Sequence, residues 1–190
     1  MTEAGSNEPR GQVAILRWLE IANRDALASE IDAIFFEASG TMTFASGADR
    51  DAFRTRWLGR YFEHFPQWAY LALGPDAHVA GYLVGSLDDP AKMSLFADIP
   101  YFKDFAALTA PYPAQLHVNL APDWRGLGLG ARLVEAFAAD AARAGAPGIH
   151  VVTSRSNRNV GFYVGNGFHE AGALNSNNRD LVFLARRLAK

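Results

Sequence analysis

Apolar and polar positions change their period along the chain, and the changes mark its elements. Residues 13–18, 68–73, 78–87, 114–120, 148–153, 168–174 and 181–185 are short runs rich in apolar, β-branched and aromatic side chains, and they predict seven strands. Other stretches carry helical spacing. Leu27, Ile31, Ile34 and Phe35 recur along a helix capped by Asn23 or Asp25 and ending near Glu37. Phe53, Trp57, Leu58, Tyr61 and Phe62 share one broad face of a helix opened by Asp49 and stopped by Pro66. Leu133, Val134, Phe137, Ala138 and Ala141 form the buried stripe of a third helix, which Gly145 ends. A short helix follows from Asn159 to Asn166. Gly74-Pro75-Asp76 turns the second strand into the third, and Asn175-Ser176-Asn177-Asn178 joins the last two.

Residues 88–113 follow neither period. They carry four prolines and the aromatics Phe96, Tyr101, Phe102, Phe105 and Tyr112, and exceed the usual connection length. They read either as a partly helical lid over a site or as a dimer contact. The order is strand, two helices, three strands, helix, strand, helix, two strands. That predicts a mixed α/β sheet in one domain, residues 12–190, with residues 1–11 as a flexible polar tail.

Composition narrows the function classes. Of 190 residues, 49% are hydrophobic and 20% charged, ordinary values for a soluble globular chain. The net charge of −2 lacks the basic excess of a generic nucleic-acid binder. The chain has no cysteine, which excludes disulfides, thiolate metal ligands and a cysteine nucleophile. The five histidines make no H-x-x-x-H or H-E-x-x-H pair, so no metal is expected. No apolar run is long enough to span a membrane, and the N-terminus lacks the apolar core of a signal peptide. The expected location is cytoplasmic.

The chemistry concentrates after the fourth predicted strand. Asn119-Leu120-Ala121-Pro122-Asp123-Trp124 leads into Arg125-Gly126-Leu127-Gly128-Leu129-Gly130-Ala131-Arg132, where three alternating glycines open a helix. Glycines let a backbone approach an anion, and free N–H groups at a helix start attract phosphate. A Walker P-loop is absent, since no G-x-x-x-x-G-K-[ST] string occurs. A Rossmann G-x-G-x-x-[GA] is matched by Gly126, Gly128 and Ala131. However, no Asp or Glu lies between Asp140 and Glu170 to hold a ribose.

The segment from Arg125 to Gly130 also fits [QR]-x-x-G-x-[GA], and Phe162-Tyr163-Val164-Gly165-Asn166-Gly167-Phe168 fits F-Y-x-x-x-G-F. Together, in this order, they resemble the GNAT N-acetyltransferase superfamily over residues 114–174. Tyr112-Pro113-Ala114-Gln115-Leu116-His117-Val118-Asn119 is further similar to the acetyltransferase-like domain of eukaryotic O-GlcNAcase, a domain regarded as a pseudo-acetyltransferase. The resemblance implies the GNAT fold, a mixed, mostly antiparallel sheet flanked by helices. In that fold the fourth and fifth strands splay to admit a pantetheine arm, and the fourth carries a bulge. It implies acetyl-CoA as co-substrate and a small amine or peptide as acceptor, with a homodimer left open.

The implied coenzyme site takes Val118, Asn119 and Leu120 from the strand. Gly126, Leu127, Gly128, Leu129, Gly130 and Ala131 give amides, and Arg125 positions the turn or meets phosphate. Arg132 faces the 3′-phosphate, Ser154, Asn157 and Asn159 lie after the fifth strand, and Phe162 and Tyr163 complete the wall. Ser156 and Asn159 depart from the family's usual Asn and Ala.

Acetyl transfer to an amine needs a base, an oxyanion donor and an acid for the departing thiolate. Tyr163 is the candidate acid. A backbone N–H near Asn119 or Leu120 is the candidate oxyanion donor. His117, with an ordinary pKa near 6.5, is the first candidate base. Asp98, Asp104 and a water chain stand behind it, because the strand lacks the carboxylate common in the family. The rival readings are a non-catalytic acyl-CoA binder and, more remotely, a Rossmann-type nucleotide protein.

Overall fold

Seven strands make one sheet in the order β1-β2-β3-β4-β5-β7-β6. They are β1 (Ala14–Arg17), β2 (Ala69–Leu73), β3 (Val79–Ser86), β4 (Ala114–Leu120), β5 (Gly148–Ser154), β6 (His169–Ser176) and β7 (Arg179–Arg187). The computed structural model describes residues 12–41, 43–176 and 179–189. The predicted tail, 1–11, and the centre of the last turn, Asn177-Asn178, lie outside the described residues. Every neighbouring pair is antiparallel except β4 and β5.

The single parallel pair is short. β4 and β5 pair at Ala114↔Ile149 and Gln115↔His150 and then part. β3 and β4 stay paired from Ser86↔Gln115 to Gly81↔Leu120 without a register shift. The bulge expected on β4 is therefore not found in its pairing with β3. The shifts lie at Ala72/Leu73 and Glu170/Gly172 instead. Two glycines let β3 and β4 run this close. A Cβ on Gly81 would lie 2.8 Å from the Asn119 carbonyl oxygen, and one on Gly85 2.6 Å from that of Gln115.

Helices cover both faces. α6 (Leu129–Arg143) buries Leu133, Val134, Phe137, Ala138 and Ala141 against Tyr70, Ala72, Leu83, Leu116 and Ile149. It ends where Gly145, at φ +85°, takes the left-handed conformation, and the Ala146 N–H reaches back to Ala141. On the other face, α1 (Ala28–Ser39) buries Ile31, Ile34 and Phe35, one helical stripe, against Leu71, Tyr82 and Val84.

Two helix starts differ from expectation. Asn23 and Asp25 belong to a 3₁₀ turn, Arg24–Leu27, and α1 follows it with no side-chain cap. The second helix opens at Gly47, not Asp49. Ser46 is its cap and its Oγ accepts the Asp49 N–H at 3.1 Å. From α2 (Gly47–Arg54) the chain passes through a π turn, Thr55–Gly59, into α3 (Arg60–His64).

Residues 88–113 are not a free lid. They hold two single-turn helices, α4 (Tyr101–Asp104) and α5 (Ala106–Thr109). Phe96, Phe102, Phe105 and Tyr112 are buried in this chain's own core. Apolar burial, worth about 1.5–3 kcal/mol for each such ring, holds the segment down. α7 (Asn159–Gly165) closes the set.

Candidate functional site

The glycine turn is built to present amides. Gly126 and Gly128 both sit at φ +75°, a conformation open to glycine and costly for other side chains. Gly128 is the N-cap of α6 and no side chain caps the helix. The first α6 amide satisfied within the chain is that of Arg132, which donates to the Gly128 carbonyl at 3.2 Å. The amides of Leu129, Gly130 and Ala131 are left at the positive end of a four-turn dipole. Arg125 fixes the turn from below. Its Nε donates to the Leu120 carbonyl at 3.0 Å and its guanidinium pairs with Glu37 at the end of α1.

A cavity of about 510 Å³ opens beside this turn, where β4 and β5 have parted. Val118, Asn119 and Leu120 line it from β4, Arg125 and Gly130 from the turn, and Phe162 and Tyr163 from α7. Asn157 and Asn159 close one side. Their positions are set by Thr153, whose Oγ1 accepts from Asn157 Nδ2 and donates to Asn159 Oδ1, each at 3.0 Å.

Other predicted residues lie elsewhere. The side chain of Leu129 is buried in the core, so only its backbone faces outward, and Leu127 is 58% exposed. Gly126, Gly128 and Ala131 shape the turn without lining the cavity. Ser154 Oγ is 3.2 Å from Ser156 Oγ and does not border the cavity. Arg132 does not face it either: its guanidinium donates to the Val13 carbonyl at 2.9 Å, tying α6 to the segment before β1. Helical geometry turns this residue away from the helix mouth toward the sheet edge.

The backbone of β4 can be assigned from its ladder. The Ala121 N–H donates to the Ala80 carbonyl at 3.0 Å. Alternation then turns the amides of His117 and Asn119 toward β3, and those of Leu116, Val118 and Leu120 toward the parted side. Of the two oxyanion donors considered, Leu120 faces the cleft and Asn119 does not.

Tyr163 is 4% exposed and packs against Phe162 and Phe168. Its phenol makes no hydrogen bond to a described residue, and burial raises its pKa above the usual phenol value. It is a neutral donor at any working pH.

His117 lies on the opposite face of β4 and does not line the cavity. Trp57 and Tyr61 meet its ring edge-on, and its Nε2 is 3.1 Å from the Tyr61 hydroxyl. Burial, with a smaller push from the Arg60 charge, lowers its pKa to about 4, so it is a neutral imidazole at pH 7. Asp98 is committed elsewhere, to Arg60 at 2.7 and 3.0 Å and Arg56 at 2.8 Å. Those guanidiniums, Arg60 first, hold its carboxyl below the ordinary range. Asp104 is exposed on α4. Among the described residues no group of three or more His, Asp or Glu side chains is arranged to hold a metal.

Residues 99–170 match the model of the acetyltransferase (GNAT) domain. The structure of SsHAT superposes with a TM-score of 0.73 over 95% of this chain and 100% of its own, at 20% identity. PH1933 from Pyrococcus horikoshii OT3 gives 0.70 over 94% and 100%, at 14% identity. A chain of the NatC complex bound to Gag peptide and CoA gives 0.61 over 94% and 100%, at 14% identity. The fold is the GNAT fold. The parted strands match the splay that the resemblance implied. The likeness to the O-GlcNAcase domain rests on the Tyr112–Asn119 string alone.

Sequence reasoning missed two residues that line this cavity, Ala38 and Arg158. Ala38 reaches it only through the tertiary placement of α1. Arg158 is exposed and makes no ion pair with a described residue. It stands between Asn157 and Asn159, both already singled out, and its free cation was the overlooked signal.

Proposed function

We propose that the chain is an acetyl-CoA-dependent N-acetyltransferase that moves an acetyl group to an amine by direct transfer. One observation carries this reading: a helix N-terminus uncapped by any described side chain opens on a cavity between parted strands, with the Tyr163 phenol, unpartnered among the described residues, in its wall. The free amides of α6 and the cation of Arg158 suit a diphosphate-bearing ligand. The open backbone of β4 suits an amide-containing arm.

The residues then divide the chemistry. His117 accepts a proton from the acceptor amine as its nitrogen bonds to the acyl carbon. The Leu120 or Val118 N–H donates to the oxyanion that develops there. Tyr163 donates its proton to sulfur as the C–S bond breaks. One proton is taken and one is given, leaving an imidazolium and a phenolate that solvent exchange returns to neutral. Both are driven back strongly, because the burial that lowers the His117 pKa and raises that of Tyr163 disfavours each charged form. The amine must reach the site already neutral. For a lysine-like amine that costs about 4–5 kcal/mol at pH 7.

The test is calorimetry with acetyl-CoA, followed by release of free thiol with a panel of small amines and peptides. Uptake with thiol release on at least one acceptor is the expected result. Uptake without release on any acceptor would leave a non-catalytic acetyl-CoA binder, and no uptake would overturn both readings.

A further inference from the structure

His117, itself partly buried, is one end of a polar chain that runs into the core. Its Nε2 is 3.1 Å from the Tyr61 hydroxyl, which is 3.2 Å from Gln115 Oε1. Tyr61 and Gln115 are fully or almost fully buried. The Tyr61 hydroxyl has one hydrogen to give. An amide oxygen only accepts, so that hydrogen goes to Gln115. The contact between Tyr61 and His117 is then a hydrogen bond only if Nε2 carries the hydrogen and donates it.

The orientation of the Gln115 amide decides the direction of the whole chain. It is supported from the neighbouring strand. Gln115 pairs in register with His150 on β5. His150 Nδ1 lies 2.6 Å from the Tyr112 carbonyl, which can only accept, so Nδ1 is the protonated nitrogen and Nε2 is bare. That bare Nε2 is buried without a donor, and Gln115 Nε2 is buried without an acceptor. The two orphans are complementary in kind and belong to register-paired residues of adjacent strands. Turning the Gln115 amide over would remove this complementarity.

We propose that Tyr61 and Gln115 are positioning residues that hold His117 in its Nε2–H tautomer, leaving Nδ1 as the lone pair that receives the acceptor's proton. The inference rests on the acetyltransfer reading for the use of that lone pair, but not for the tautomer itself. His117 Nδ1 makes no hydrogen bond to a described residue, so its lone pair is uncommitted.

The tautomer can be read without coenzyme or acceptor, from long-range ¹H–¹⁵N correlation spectra of the labelled protein at pH 7. His117 is assigned by its loss in His117→Gln. The expected spectrum has Nδ1 as a bare nitrogen and Nε2 as N–H. A His117 with Nδ1–H, or an even mixture of tautomers, would overturn the proposal. Gln115→Met gives a sharper reading. It removes the acceptor of the Tyr61 hydrogen, so that hydrogen turns to His117 Nε2 and the tautomer switches to Nδ1–H. In that variant kcat should fall about 10- to 100-fold, a share of what a general base contributes, with KM for acetyl-CoA unchanged. A variant that keeps the wild-type tautomer or the wild-type kcat would count against the relay. Should Gln115→Met not fold, Tyr61→Phe and the wild-type spectrum still decide. Finding the Nε2–H form but no thiol release with any acceptor would overturn the acetyltransfer reading and leave the tautomer assignment intact.

Discussion

A Cβ added at Gly130 would lie 3.1 Å from two atoms of the Phe162 ring. The first turn of α6 therefore meets α7 through a tight position, where a Cβ fits only if the Phe162 ring gives by a few tenths of an ångström. Gly130→Val should push the ring aside, cost about 1–3 kcal/mol of stability and weaken acetyl-CoA binding in the same variant. Denaturant melts and calorimetry measure the two effects, and a variant that keeps both at wild-type values would refute the contact's importance.

Gly128→Asp tests the cradle more directly. Asp tolerates the left-handed conformation better than most residues, and no atom lies within 4 Å of the added Cβ, so the fold should survive. A carboxylate at the mouth of the helix should nevertheless abolish coenzyme uptake by repulsion. Unaltered affinity in calorimetry would remove the α6 N-terminus from the site.

Tyr163→Phe separates chemistry from binding. Turnover should drop about 10²–10⁴-fold while acetyl-CoA affinity stays close to wild type, because the lost hydroxyl has no partner among the described residues. Single-turnover thiol release gives the rate, and an unchanged rate would leave the phenol a packing group.

The two cations read for phosphate should behave oppositely. Arg158→Ala should lose about tenfold in acetyl-CoA affinity, the worth of one charge-assisted hydrogen bond. Arg132→Ala should lose little, since its guanidinium is bound to the Val13 carbonyl. Equal losses in both would mean that the assignment of Arg158 is wrong.

Stability should fall on mild acidification. His117 and His150 are held neutral, each with a pKa lowered to about 4, chiefly by burial. Unfolded, each titrates near 6.5, so the unfolded chain binds more protons between those values. The stabilisation is fully present above pH 6.5 and is lost as pH falls toward 4. The upper bound is about 3 kcal/mol for each ring at 1.36 kcal/mol per pH unit. Urea melts from pH 7.5 to 4.5 follow it, and His150→Gln should flatten the curve. A pH-independent midpoint would contradict the desolvation of the two imidazoles.

Much of this was readable from the chain because periodicity and turn chemistry are local. All seven strands, the α6 stripe and the glycine turn follow from residues within a few positions of one another. What escaped is tertiary. α4 and α5 are single turns with no period to detect, and only packing of Phe96, Phe102 and Phe105 decides their course. The side to which His117 points was left open because a bulge was expected on β4, and the unbroken register of β4 with β3 settles it. Arg125 and Arg132 look alike in sequence. A carbonyl partner for each, Leu120 or Val13, determines what either can reach.

The early parting of β4 from β5 has a topological consequence. A sheet that separates after two rungs is a septum with a slot in it. Side chains of β4 alternate across that septum, Val118 and Leu120 toward one compartment, His117 and Asn119 toward the other. On the acetyltransfer reading proposed above, an acyl donor and its recipient would approach from opposite sides of the septum and meet at the slot, so that neither would have to leave before the other arrives.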